Sequence, residues 1–141
     1  MERRLSRQTG RSIGAVLAGF LVVVVFSLAT DAVMRRAGIF PPAGQGMSPS
    51  RFALATAYRV VYSVAASFVT ASLAPNRPMF HAMLGGFIGL AVGILGAVLA
   101  WSRTELGPHW YPVALVVTAL PCAWLGAKLR LAQLKSRPVV S

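Results

Sequence analysis

The chain has 141 residues, of which 56% are hydrophobic and only 12% charged, and its mean hydropathy is +0.66, the composition of a protein solvated by lipid rather than water. Its formal net charge of +11 is gathered at the ends of apolar stretches, a distribution that argues against nucleic-acid binding. A single cysteine, Cys122, excludes an internal disulfide and a multi-cysteine metal site.

Four apolar stretches fill almost all of the sequence, at about residues 12–34, 52–74, 79–101 and 110–128. A helix rises 1.5 Å per residue, so about 20 apolar residues cross a hydrocarbon core about 30 Å thick. The expected fold is therefore all-α: a four-transmembrane-helix bundle forming one membrane domain over residues 1–141. The connections between stretches are too short to fold as soluble domains, so any chemistry must lie in the bundle or at its rims.

The first stretch follows a basic start, Arg3, Arg4, Arg7 and Arg11. Such a start also opens secretory signals, but the apolar run from Ile13 to Ala29 is longer than a usual signal core and no Ala-x-Ala site follows it. It reads as a retained helix. Near its far end stands Asp31, one of three acidic residues in the chain.

The second stretch carries Arg59 within its apolar length, where an arginine costs a few kcal/mol unless it faces the bundle or a wet cavity. At 100° per residue, Thr56, Arg59, Ser63, Ser67 and Thr70 fall within an arc of about 80°, opposite Leu54, Val61, Val64, Ala65 and Phe68. Hydroxyls on such a stripe permit close helix packing and interhelical hydrogen bonds. The same stripe could line a narrow polar path, with Arg59 as an anion-attracting or gating charge. Asp31 is a candidate partner for Arg59 across helices. It could equally pair with Arg35, four residues on along its own helix.

The third stretch repeats glycine every four residues, at Gly85, Gly89 and Gly93, the spacing that lets helix backbones approach closely in lipid. His81 begins this stretch and His109 lies beyond its other end, so the two cannot share a metal. Trp101, Trp110 and Tyr111 cluster around the turn before the fourth stretch, as interfacial aromatics do. In that turn Glu105 and His109 could touch a partner or ligand.

In the fourth stretch Pro121 should kink the helix or free a carbonyl, which Thr118 is placed to help satisfy. Cys122 reads as a small apolar filler. Beyond Lys128, the run KLRLAQLKSR alternates basic and leucine positions and suggests a short helix along the inner surface, within a basic tail over residues 129–141.

Counting Lys and Arg on the two sides gives nine with the termini (Arg3, Arg4, Arg7, Arg11, Arg77, Lys128, Arg130, Lys135, Arg137) against four opposite (Arg35, Arg36, Arg51, Arg103). The excess places both termini in the cytoplasm. It also sets a basic inner rim against anionic lipid headgroups.

The segments LAPNRPMFHAMLGG and GPHWYPVALVVTALPCAWLGAKLR resemble parts of small bacterial four-helix membrane proteins that have no assigned activity. The resemblance covers the last three stretches and implies only a four-helix fold in a bacterial cytoplasmic (inner) membrane. The chain lacks the first-helix glutamate of small multidrug exporters and the Asn and Thr-Phe-Ser-Thr-like segment of fluoride channels.

No catalytic constellation, metal-ligand spacing or phosphate loop is visible, and neither enzymatic activity nor a cofactor is expected. Two functions fit the sequence. One is an accessory or structural membrane protein that packs against itself or a larger membrane complex through Gly85, Gly89 and Gly93. The other is a minimal oligomeric channel or transporter with its path along the Arg59 stripe.

Overall fold

The computed structural model describes residues 2–103 and 106–137, and Glu105 lies outside them. Within them run four helices: α1 (Glu2–Arg36), α2 (Pro49–Leu73), α3 (Pro78–Trp101) and α4 (Trp110–Lys135). All four are long and apolar enough to cross a membrane.

Two helices begin at proline. Pro49 and Pro78 each occupy the first turn, where the missing N–H has no intrahelical partner to lose. The turn before α3 is tight, and its cap, Arg77, takes the left-handed conformation at φ 45°.

Helix ends differ from the apolar boundaries in two places. α1 begins at Glu2 rather than near Ser12, and its 35 residues reach about 52 Å, well beyond a bilayer core. Nothing in the basic segment stops it: it holds no proline, and Ser6, Thr9 and Ser12 each donate to a carbonyl one turn back. Near the other end of the chain, α4 continues unbroken past Lys128 to Lys135, so the helix expected there is an extension of the fourth.

α4 also continues without a break through Pro121. The expected repair does not form. Thr118 donates to Ala114 O at 2.8 Å and Leu115 O at 3.3 Å, one turn before the carbonyl that Pro121 deprives of a donor. A threonine hydroxyl reaches back to the preceding turn, which points it away from the gap.

α2 is the centre of the bundle and packs against the other three helices. α3 and α4 lie side by side, α1 meets α3 only sparsely, and α1 and α4 do not pack together among the described residues. The buried residues are mostly small: Ala15, Ala55, Ala66, Ala71, Ala82, Ala123 and Ala127, with Cys122 among them. Large apolar side chains such as Phe26, Phe87, Leu95 and Val117 point outward, the reverse of a water-soluble core.

Glycine sets the helix spacing. A Cβ on Gly86 would lie 2.5 Å from that of Ala123, and one on Gly126 would lie 2.5 Å from the Val64 carbonyl oxygen. Gly19 is pressed against Thr70 and the Ala66 carbonyl in the same way. These three contacts hold α3 to α4, α4 to α2, and α1 to α2. Such close approach lets dispersion and weak polar contacts act where lipid offers no hydrophobic drive.

Candidate functional site

The antiparallel course of α1 and α2 brings Asp31 and Arg59 together. An Arg59 guanidinium N–H donates to Asp31 Oδ2 at 2.6 Å, and the Asp31 residue is only 8% exposed. The other carboxylate oxygen of Asp31 accepts from the Tyr58 hydroxyl. Asp31 therefore pairs with Arg59 across helices, while Arg35 is exposed.

Aromatic rings surround this pair. The guanidinium carbon of Arg59 lies 5.9 Å from the ring centre of Tyr58 and 5.6 Å from that of Tyr111 on α4, within cation–π range. One turn along α2, the Tyr62 hydroxyl meets Thr30 Oγ1 at 2.7 Å, and its ring packs on Phe26 and Tyr58. A charge pair with satisfied lone pairs and covered edges is the form in which ions persist away from water.

Sequence reasoning missed Tyr58, Tyr62 and Thr30, and it placed Tyr111 among the interfacial aromatics without its contact to Arg59. A signal existed for the two α2 tyrosines: they are four residues apart and lie about 60–100° around the helix from the stripe's leading edge, on the face that meets α1. Tyr111 comes from a distant helix and had no local sign.

The rest of the stripe spends its hydroxyls on structure. Thr56 donates to Phe52 O at 2.9 Å, Ser63 to Arg59 O at 2.8 Å and Thr70 to Ala66 O at 3.1 Å, all within α2. Ser67 alone crosses between helices, donating to Ala123 O on α4 at 2.5 Å. Nearby, the buried Cys122 lies with its Sγ 3.8 Å from Val60 O, a filler at the α2–α4 seam.

Stripe and glycine face meet in one cleft of about 270 Å³, lined by all four helices. Arg59, Ser63, Ser67 and Thr70 form its α2 side, and Gly85, Gly89 and Gly93 its α3 side. The glycines are unequal. A Cβ on Gly93 would lie 3.3 Å from Val116, and one on Gly85 4.0 Å from Val16, but one on Gly89 would have nothing within 4 Å. Within one chain the tight contact of α3 is made by Gly86, one residue off the four-residue repeat.

At the end of the bundle where α1 begins and α4 ends, His81 closes the α1–α3 seam. Its Nε2 lies 2.9 Å from Ser12 Oγ and its Nδ1 3.2 Å from Arg77 O, and the residue is buried. At the opposite end His109 stacks on Trp101, ring centres 4.4 Å apart, with Nε2 3.1 Å from Trp101 O. Beside it the Phe52 ring fills the space over Gly107, whose φ of 128° suits glycine. Both histidines thus serve as joints between elements. No three of His, Cys, Asp and Glu come together among the described residues.

The sequence matches no family model, no curated protein and no solved structure.

Proposed function

We propose that the protein is a small multi-pass membrane protein of accessory or structural type, which packs against itself or a larger membrane complex. The observation that carries this reading is the spending of its polar groups. Arg59 is neutralised by Asp31, and the stripe hydroxyls bond to backbone carbonyls, so the charge that a conduction path would offer is already balanced. What remains for a partner is the apolar surface of four helices and the open face at Gly89.

The Lys and Arg distribution supports an orientation with both termini inside and anionic headgroups as neighbours of the basic rim, and the resemblance of the last three stretches implies a bacterial cytoplasmic membrane. Two experiments test the reading. The chain should stay with membranes through alkaline extraction. Native mass spectrometry after gentle solubilisation should then find it bound to a stoichiometric partner, a second copy or a foreign subunit. A lone monomer would reject the accessory role.

A channel or transporter is the second reading, favoured by the cleft itself, which all four helices line and which holds Arg59, Ser63 and Thr118. Flux of a small anion through reconstituted vesicles, absent in empty ones, would select it.

A further inference from the structure

The polar end of the cleft has hydrogen-bonding capacity to spare. A guanidinium carries five N–H donors. Among the described residues Arg59 uses one of them, on Asp31, and its side chain is 26% exposed and lines the cleft. Ser27 lines the same end. It is only 9% exposed and makes no hydrogen bond to any described residue. From there the cleft runs past Val23, Phe20 and Val16 to Thr70, a distance of about 16 Å along α2.

Shape and charge together select an occupant. A transmembrane helix, about 10–12 Å across with its side chains, is too thick for a space of 270 Å³, whereas a single extended chain is thin enough. Because Asp31 balances Arg59, a charged head would bring an uncompensated charge into the bundle. A neutral oxygen acceptor takes the spare N–H and O–H groups without that cost. A route in also exists: the α1–α3 seam is closed by Ser12–His81 at one end but open at Gly89, and Val92 on its wall is 52% exposed.

We propose that the cleft binds the acyl chain of a neutral single-chain lipid, with the lipid's ester carbonyl oxygen accepting hydrogen bonds from Arg59 and Ser27. The chain enters sideways from the bilayer through the open part of the α1–α3 seam and lies between the valine and phenylalanine side chains of α1 and the glycine face of α3. This site rests on the membrane-spanning reading but not on any assembly partner.

The test uses the full chain, purified in a detergent without carbonyl groups and incubated with monoolein. Native mass spectrometry reads lipid adducts per copy of the chain. One saturable adduct is expected, weakened by Ser27→Ala and reduced by more than about tenfold in Gly89→Leu, which fills the cleft with apolar atoms that the lipid would otherwise bury. Val92→Trp replaces Gly89→Leu where that variant fails to fold. An oleoyl lysophosphatidylglycerol, with the same chain and an anionic head, should bind more weakly. The proposal is overturned by no saturable adduct on the unaltered chain, by undiminished binding in the cleft-filling variant that folds, or by tighter binding of the anionic lipid. Loss of the chain from alkaline-washed membranes would instead reject the membrane reading on which the site stands.

Discussion

Asp31 and Arg59, 28 residues apart in sequence, form an ion pair at 2.6 Å in the seam between α1 and α2, and Tyr58 holds the second carboxylate oxygen. The pair joins two antiparallel helices at one point and fixes their register there. It also settles which face of α2 can look into the cleft, because Arg59 is shared between the seam and the cleft wall.

Removing one partner leaves the other charged and poorly solvated. Arg59→Ala should therefore destabilise the protein by about 2–4 kcal/mol, the lower part of the range reflecting the partial exposure of the arginine. A thermal melt in detergent measures it. The double variant Asp31→Leu/Arg59→Leu should recover most of the loss, because no isolated charge remains. Equal losses in the single and double variants would mean that packing, not charge pairing, is what the site supplies.

Tyr58→Phe and Tyr62→Phe separate the two hydroxyls from their rings. Tyr58 donates to an ionised carboxylate, a bond worth about 1.5–3 kcal/mol, whereas Tyr62 shares a neutral bond with Thr30, worth about 1 kcal/mol. Tyr58→Phe should thus cost more than Tyr62→Phe, and in an Asp31→Asn background its effect should fall to that of a neutral hydrogen bond, about 1 kcal/mol. Melting temperatures of the single variants Tyr58→Phe, Tyr62→Phe and Asp31→Asn and of the double variant Asp31→Asn/Tyr58→Phe check the order and the coupling.

The four-helix layout was legible because each apolar run is long enough to cross a membrane, and in lipid only a helix satisfies the backbone within one segment. Helical period alone groups Thr56, Arg59, Ser63, Ser67 and Thr70, and all of them but Thr56 line the cleft. The choice of Arg59 over Arg35 as the partner of Asp31 was not legible, because spacing along one helix and proximity across two look alike in sequence. Nor could the glycine repeat say which of its members touches a neighbour. Gly86 packs on Ala123 through its rotation about α3, and that rotation is set by α4, a helix whose contacts have no trace in the glycine spacing. The helix ends were missed because hydropathy marks where an apolar run stops, not where a helix does: α1 also takes in the ten residues before Ser12, most of them polar or basic.

Glycine substitutions should divide sharply by position. Gly126→Val puts a branched side chain against the Val64 carbonyl and the Phe68 N–H, backbone that cannot move without unpacking α2 from α4. Gly86→Leu meets the Ala123 side chain in the same way. Both should abolish a cooperative melt. Gly10→Ala, with nothing within 4 Å of the new methyl, should be neutral or stabilise α1 by up to about 1 kcal/mol. A severe defect in Gly10→Ala would show that the basic extension of α1 has a packing role.

Cysteine labelling can decide how wet the cleft is. In a Cys122→Ala background, Ser63→Cys and Ser67→Cys place thiols one turn apart on the same stripe. Ser63 is half-buried and borders the cleft, whereas Ser67 is 7% exposed and tied to the Ala123 carbonyl. For an accessory protein with a lipid-filled cleft, a membrane-impermeant thiol reagent should modify neither residue, while a small apolar maleimide should modify Ser63→Cys at least about tenfold faster than Ser67→Cys, in line with the greater exposure of Ser63. Fast labelling of Ser63→Cys by the impermeant reagent would mean that water enters the cleft, and a conduction path past Arg59 would then become the better account of why an arginine stands there.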